Sequence, residues 1–226
     1  MLDLKKGKVK EEIGSVGILK LKKGKDISNR LKFWEMSEEE VSLPSAETAI
    51  VVVDMQKDFC YEKGALFIGK SAREIIPRVR KLLERASSAG ILTIFTQDWH
   101  EEDDEEFNLW QKHCVKQSEG AEIVNELANF AEKSEIVRKH RYSAFFQTDL
   151  EEILRKKGIK TLVIVGVATN ICVMHTAIDA FMRGFSVVVP PDCTATVGEY
   201  EQNYALYHIE KVLCGKVLPS DRISFT

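Results

Sequence analysis

The sequence predicts an α/β fold with three layers, in which helices cover both faces of a mainly parallel central sheet. Two observations predict it. Short aliphatic runs, such as the one at 49–53, have the continuous apolar character of strands that are buried on both faces. Segments with apolar residues at helical spacing, such as 71–89, alternate with these runs. Because strands that alternate with helices are joined by right-handed crossovers, the strands lie parallel and the helices cover both faces.

Each element is assigned from its periodicity and from the residues at its ends. Gly90, Gly158 and Gly184 each follow a helical segment, where glycine commonly ends a helix. Thr148 and Glu151 have the spacing of a capping box, which opens a helix. The predicted elements are strands at 49–53, 91–95, 136–137, 161–165 and 185–189, and helices at 71–89, 148–157, 172–183 and 199–213.

Residues 1–45 are predicted to be an N-terminal extension, and residues 46–226 to form the folded domain. The extension is rich in lysine and then in glutamate, and its periodicity is weak. Two interpretations stay open. The extension forms a short strand or arm that packs on the domain or on a neighbouring subunit, or it is a partly ordered tail.

Size and charge exclude several classes of protein. The chain has 226 residues, which is enough for one α/β domain with a full core. Its formal net charge of −3 gives no basic footprint for nucleic acid. No apolar run approaches the roughly 18 residues that span a bilayer, and the first residues lack the apolar core of a signal peptide. We therefore expect a soluble, cytoplasmic protein with neither a nucleic-acid nor a membrane partner.

The cysteines are either core residues or reactive groups. There are 5 of them, widely spaced and odd in number, which argues against a disulfide framework. No C-x-x-C pair is present, so the sequence does not indicate a zinc site of that kind.

Side chains that could take part in catalysis or metal binding follow four of the predicted strands. Asp54 follows the first strand, Asp98 and His100 the second, Lys139 the third and Cys172 the fourth. The carboxyl ends of parallel strands share one edge of the sheet, where α/β proteins bind ligands. The sequence therefore predicts that these groups converge.

Cys172 is the candidate nucleophile among them. It falls in the first turn of a predicted helix, where unpaired N–H groups and the helix dipole favour a thiolate and lower its pKa. A small buried core residue is the alternative interpretation. A mechanism needs Cys172 to attack a carbonyl carbon, Asp54 to move the thiol proton to the leaving amine, and Lys139 to orient the pair. Backbone N–H groups at the helix start would stabilise the oxyanion.

Five motifs in the same order resemble the cysteine-hydrolase superfamily that includes nicotinamidase and isochorismatase. They are DMQKDF (54–59), TQDWH (96–100), HCV (113–115), RKHRYSAF (138–145) and GVATNICV (166–173). The resemblance runs from about Thr48 to about Leu213. It implies a Rossmann-like fold of the isochorismatase type.

The resemblance also assigns roles to the candidate catalytic residues. It implies a catalytic triad of Asp54, Lys139 and Cys172. It further implies a cis peptide between Val167 and Ala168, and an oxyanion hole formed by the N–H groups of Ala168 and Cys172.

The similarity to nicotinamidases implies a divalent metal ion, which is zinc, iron or manganese. Its ligands would be Asp98, His100 and His113, with Glu106 in place of a second histidine that many relatives have six residues after the first. The acidic run at 101–106 is equally compatible with a solvated loop, and Glu105 is a weaker substitute than Glu106.

Two aromatic residues match those that hold the pyridine ring in nicotinamidases. They are Phe59 and Trp110, and offset stacking against them suits a flat heteroaromatic substrate. Val167 and Ala168 complete the predicted substrate-binding set. Ordinary core packing is the alternative for both aromatic residues.

The leading hypothesis is a nicotinamidase, which converts nicotinamide to nicotinate and ammonia through a thioester and serves NAD salvage. The resemblance also implies a homo-oligomer, a dimer or a tetramer. A related amidohydrolase acting on a carbamoyl or ureido substrate is the alternative, because Asn170 stands where nicotinamidases often have an acidic residue. A non-catalytic scaffold is a third hypothesis. Rapid alkylation of Cys172 relative to Cys193 or Cys214 would argue against the scaffold.

Overall fold

The computed structural model describes residues 39–226 of the chain. The interpretations of the N-terminal extension therefore fall mostly on residues outside the described part. Within it, the strands are β1 (Val41–Leu43), β2 (Thr48–Val53), β3 (Leu92–Asp98), β4 (Glu135–Lys139), β5 (Thr161–Val167), β6 (Ser186–Val189), β7 (Thr194–Ala195), β8 (Lys216–Val217) and β9 (Ile223–Phe225).

Six α-helices lie between these strands in the described residues. They are α1 (Lys57–Cys60), α2 (Lys70–Ser88), α3 (Ala128–Ala131), α4 (Leu150–Lys156), α5 (Met174–Met182) and α6 (Glu199–Lys211). A π-helix, Thr169–Val173, leads directly into α5. Short 3₁₀ turns lie at Ser45–Glu47, Glu105–Asn108, Glu119–Ala121, Asn125–Leu127, Pro191–Cys193 and Ser220–Arg222. None of the helices of 39–226 has the length and hydropathy of a membrane span.

The main sheet has seven strands and confirms the predicted parallel α/β fold. Six strands follow the order β4-β3-β2-β5-β6-β8, and β7 pairs with the end of β5. All of these pairs are parallel. Along the chain, β3 and β4 are added on one side of β2; β5 then pairs with the other side of β2, and β6 and β8 follow beyond it. Loops after β2 and β5 therefore leave in opposite directions and open a crevice at the carboxyl edge of the sheet.

Alternation along the central strands divides the core into two layers. Ile50 and Val52 of β2 pack with buried residues of α2 on one face. Ala49, Val51 and Val53 point to the other face and pack with α4, α5 and α6. Because successive side chains of a strand point to opposite faces, one aliphatic run supplies both cores.

Some predicted details were wrong. The capping box does not form: Asp149 is the N-cap of α4 without a side-chain bond, and Thr148 Oγ1 accepts from Leu150 N at 3.3 Å. The helix predicted from Cys172 begins with the π-helix, three residues earlier. The two-residue strands β7 and β8 carry too few residues for a period-2 pattern, so periodicity did not reveal them.

Candidate active site

Four neighbouring strands deliver the candidate catalytic groups to one place. Asp98 ends β3 and Lys139 ends β4, while Asp54 directly follows β2. Cys172 follows β5, in the π-helix. A carboxylate oxygen of Asp54, one of Asp98 and the Cys172 sulfur all lie within 4.8 Å of one another, and all three residues are buried.

Lys139 lies at the centre of this group. Its side chain is fully buried, and Nζ is 2.7 Å from Asp54 Oδ2 and also pairs with Asp98 Oδ1. Nζ is 3.5 Å from Cys172 Sγ. Burial opposes the charge, but Asp54 and Asp98 raise the pKa of Lys139 well above its usual value, so the ammonium stays charged.

Asp54 has the properties of a base for the thiol proton. Its Oδ1 accepts from Thr96 Oγ1 at 2.6 Å. Its Oδ2 forms an ion pair with Lys139 Nζ at 2.7 Å, and the second lone pair of this oxygen can accept another proton. Burial raises the pKa of Asp54 from 3.8 to about 6, although Lys139 acts in the opposite direction. A carboxylate with a pKa near neutrality is a better proton acceptor than an ordinary aspartate.

The predicted low pKa of Cys172 was wrong. Burial raises the pKa of this thiol well above its usual value; Lys139 lowers it, while Asp54 and Asp98 raise it further. The dipole argument failed because burial removes much of the solvation that a thiolate needs. The thiol is therefore protonated at rest, and it must transfer its proton to a base during attack. Alkylation of Cys172 is therefore best compared with that of Cys193, which is also buried, because Cys214 is exposed.

The segment before Cys172 passes unusually close to β2. Gly166 has φ +111°, and a side chain there would overlap the carbonyl oxygen of Val53. The peptide bond between Val167 and Ala168 is cis. The carbonyl of Ala168 then accepts the N–H groups of Ile171 and Val173, at 3.0 and 3.2 Å. The oxyanion role of the Ala168 and Cys172 amides stays a prediction.

Three of the four predicted metal ligands form a compact buried cluster. Ligand atoms of Asp98, His100 and His113 lie within 4.8 Å of one another. Asp98 Oδ2 is 3.8 Å from His100 Nε2 and 3.9 Å from His113 Nε2. His100 Nε2 is buried without a hydrogen-bond partner. An unpartnered nitrogen beside a carboxylate and a second imidazole fits a divalent metal ion.

Protonation within this cluster is uneven. Burial lowers the pKa of His113, which favours the neutral imidazole that binds metals. Burial opposes a charge on His100 too, but Asp98 and Asp104 outweigh it and raise the pKa of His100. Burial alone would also raise the pKa of Asp98, yet Lys139 and His100 lower it to about 2.

Glu106, the fourth predicted ligand, is buried but stands apart from the compact cluster. It lines the same cavity as Asp98 and His113. Its Oε2 is 3.9 Å from Arg141 Nη1. Burial and the nearby Asp98 raise the pKa of Glu106. Its role as a ligand stays a prediction.

A cavity of about 330 Å³ opens over Cys172 and the metal-ligand cluster. Its walls include the predicted substrate-binding residues Phe59, Trp110, Val167 and Ala168. The Phe59 ring contacts the His113 ring, with centroids 5.3 Å apart. The other lining residues are Leu66, Phe67, Ile68, Asp98, Glu106, His113, Tyr142, Asn170, Ile171, Cys172, Thr196, Val197 and Glu201.

Known proteins share this arrangement of strands and sequence. Residues 48–221 match the family model described as the isochorismatase domain. That match covers most of the chain. The chain belongs to the isochorismatase family.

Within the isochorismatase family, the relatives include amidases of more than one kind. The chain is similar to nicotinamidase PncA from Bacillus subtilis, with 33% identity, a TM-score of 0.73, and coverage of 76% of this chain and 99% of that one. It is similar to a pyrazinamidase of Pyrococcus horikoshii in complex with zinc, with 36% identity, a TM-score of 0.71 and coverage of 76% and 99%.

Another isochorismatase-family relative is the ureidoacrylate amidohydrolase RutB of Yersinia enterocolitica. It is 31% identical, and the match covers 82% of this chain and 96% of the relative. Together these relatives identify the chain as a hydrolase and confirm the predicted resemblance. They do not agree on a substrate.

Several residues of this isochorismatase-family site escaped the sequence analysis. Thr96 Oγ1 donates a hydrogen bond to the Asp54 carboxylate, and Tyr142 OH accepts one from Trp110 Nε1 at 2.9 Å. Gln56 holds Asp98 from both sides: its Oε1 accepts from Asp98 N at 2.8 Å, and its Nε2 donates to Asp98 O at 2.9 Å. Thr96, Gln56 and Tyr142 lie inside the quoted motifs, and this placement could have indicated that they belong to the site.

Proposed function

We propose that this protein is a metal-assisted nicotinamidase that hydrolyses an uncharged heteroaromatic amide. The observation that carries the proposal is the cavity over Cys172. It combines the rings of Phe59 and Trp110, the candidate nucleophile and the predicted metal ligands, while no lysine or arginine lines it among the described residues.

The charge of the cavity favours a neutral substrate. Asp98, Glu106 and Glu201 line it and supply carboxylates. The nearest ammonium, on Lys139, is already paired with Asp54 and Asp98. A carboxylate brought into this cavity would be desolvated beside these acidic side chains, and no lysine or arginine among the described lining residues would pair with it. Nicotinamide carries no such charge.

The chain's own residues support each chemical step. Asp54 accepts the proton of the Cys172 thiol as the sulfur attacks the amide carbon. The same carboxyl group then gives that proton to the departing nitrogen, and ammonia leaves a thioester on Cys172. Water, deprotonated by Asp54, attacks the thioester and releases the acid and the thiol. Lys139 keeps the Asp54 carboxylate oriented throughout.

The ligand cluster would hold the metal ion beside the substrate ring. Asp98, His100 and His113 would supply ligands, with Glu106 close by. When bound, a divalent ion would take the ring nitrogen as a ligand and so orient the carboxamide toward Cys172. Phe59 and Trp110 would contact the two faces of the ring.

A ureido or carbamoyl amide is the second candidate. It is favoured by the similarity to ureidoacrylate amidohydrolase and by Asn170, which lines the cavity and whose Oδ1 accepts from Thr196 Oγ1 at 2.6 Å. A ureidoacrylate carries a carboxylate, however, and no lysine or arginine among the described lining residues would pair with that group.

Ammonia release from nicotinamide and from a ureido carboxylic acid, measured on metal-loaded protein, tests the proposal. We expect nicotinamide to be the better substrate by at least about 100-fold in kcat/KM, which corresponds to about 2.7 kcal/mol. Faster release from the ureido acid would reject a nicotinamidase in favour of the second candidate. Release from neither would reject both substrates.

A further inference from the structure

The acidic run at 101–106 is divided between solvent and the interior. The side chains of Glu101 and Glu102 are 54% and 74% exposed, while those of Asp104 and Glu106 are 7% exposed. A fully solvated loop would leave all its carboxylates in water. A buried carboxylate needs a hydrogen-bonding or charged partner, so the buried side chain of Asp104 is expected to have one.

The partner of Asp104 is a predicted metal ligand. Asp104 Oδ2 is 3.0 Å from His100 Nδ1, and the His100 side chain is fully buried. A proton on Nδ1 that is donated to this carboxylate leaves the lone pair on Nε2. That nitrogen faces Asp98 Oδ2 and has no hydrogen-bond partner.

Two further groups hold the Asp104 carboxylate. Arg141 Nη1 is 3.1 Å from Oδ1 and 3.3 Å from Oδ2. The backbone N–H of Glu106 donates to Oδ1 at 2.9 Å. These hydrogen bonds fix the Asp104 carboxylate in position against His100 Nδ1.

The second histidine is held differently. His113 Nδ1 lies 2.7 Å from the backbone carbonyl of Gln111. Both imidazoles thus turn Nε2 toward Asp98, but only His100 depends on a side chain that substitution can remove. Outer partners of this kind fix the tautomer and ring orientation of a metal-binding histidine, and their loss typically weakens metal binding about 10–100-fold.

We propose that Asp104 is a positioning residue, which accepts the Nδ1 proton of His100 so that Nε2 is presented to a metal ion, with Arg141 holding Asp104 in place. This rests on the metal site of the proposed function. Among the described residues, the carboxylates of Asp54, Asp98, Asp104 and Glu106 have two permanent cations as ion-pair partners, Lys139 and Arg141, beside the imidazoles of His100 and His113. A divalent ion would neutralise the excess negative charge.

The test is Zn²⁺ binding to metal-free full-length protein, measured by competition with a chromophoric chelator. Asp104→Ser keeps a hydroxyl that can cap the 105–108 turn but removes the carboxylate. We expect it to weaken Zn²⁺ binding about 10–100-fold, and Asp104→Asn, whose amide oxygen can still accept from Nδ1, to weaken binding less. Asp103→Ser is the matched control, because Asp103 is the exposed neighbour in the same run; its affinity should stay within about twofold of wild type.

Three outcomes would overturn the proposal. One is a Zn²⁺ affinity of the Asp104→Ser variant within twofold of wild type, which would mean that Asp104 only caps the 105–108 turn. Another is full recovery in the Asp104→Ser/Arg141→Gln double variant, which would attribute the loss to repulsion by an unpaired arginine. The third is ¹⁵N NMR of the metal-free wild type at pH 8 showing His100 protonated on Nε2, a measurement that needs no variant to fold.

Ammonia release by the same proteins separates this proposal from the proposed function. If the wild type hydrolyses nicotinamide and binds Zn²⁺, and the Asp104→Ser variant binds Zn²⁺ equally well, the positioning role of Asp104 is rejected and the proposed function stands. If Zn²⁺ binding is tight and depends on Asp104, but nicotinamide yields no ammonia, the positioning role of Asp104 is supported and nicotinamide is rejected as the substrate. Wild type that binds no Zn²⁺ would reject the metal site and this role with it.

Discussion

At the scale of single residues, the site depends on charges that are buried in contact with one another. Lys139 pairs with Asp54 and Asp98, and all three side chains are at most 5% exposed. Removing one member would leave an uncompensated buried charge, which typically costs about 3–5 kcal/mol. Functional tests therefore use neighbours whose substitution leaves this ion pair intact.

Cys172→Ala should lower nicotinamide turnover about 10³-fold or more, because the thioester cannot form without the sulfur. Metal-dependent ammonia release measures the effect. Cys214→Ala, at an exposed cysteine, is the matched control and should retain full activity. Comparable activity in the two variants would exclude a nucleophilic role for Cys172.

The pH dependence of kcat/KM should show an acid limb near pH 6. Asp54 must be ionised to accept the thiol proton, and burial raises its pKa to about 6, so activity rises as the pH increases through this value. Thr96→Val removes the donor to Asp54 Oδ1. The ionised form then loses a hydrogen bond, the pKa rises, and the limb should move up by about one pH unit.

Thr96→Ser retains the hydroxyl and is the control for that shift. Its acid limb should coincide with that of wild type. An unchanged limb in Thr96→Val would assign the titration to a group other than Asp54.

At the scale of elements, the end of β5 decides where the nucleophile lies. Gly166 pairs with Val53 in the register of β2 and β5. The chain then passes through the cis peptide into the π-helix that carries Cys172. The absence of a side chain at Gly166 lets the two backbones approach each other at this point.

Gly166→Ala should destabilise the protein by about 3 kcal/mol or more, because the new Cβ would overlap the Val53 carbonyl at a positive φ. Gly90→Ala is the matched control: Gly90 has φ +70° but nothing within 4 Å of an added Cβ, so only the backbone strain of about 1–2 kcal/mol applies. Urea unfolding measures both. Equal losses would show that backbone conformation matters here and steric overlap does not.

At the scale of the whole molecule, a metal ion that binds only the folded chain adds to its stability. The predicted ligands come from β3 and from the segments after it, so the unfolded chain would not hold them together. Zn²⁺ at 100 times its dissociation constant should raise the free energy of unfolding by about 2.7 kcal/mol. Thermal unfolding with and without Zn²⁺ measures the gain.

His113→Ala should lose most of this stabilisation, since one predicted ligand is removed. His140→Ala, at an exposed histidine, should keep it. Equal stabilisation of both variants by Zn²⁺ would place the bound ion elsewhere.

The sequence by itself determined the parallel α/β fold and the convergence of Asp54, Asp98, Lys139 and Cys172. Both follow from local patterns: aliphatic runs define buried strands, and parallel strands share one carboxyl edge. Residues at strand ends could therefore be assigned to a common site without coordinates. The quoted motifs also indicated the isochorismatase family.

Only the tertiary structure decided the protonation of the site and the roles of its outer residues. The pKa of Cys172 was predicted to fall and instead rises, because desolvation depends on what surrounds the thiol in three dimensions. Within the acidic run, Asp104 faces His100 while Asp103 faces solvent, and charge alone does not distinguish them in the sequence. Burial and the choice of partner arise from contacts between distant segments, which no local pattern encodes.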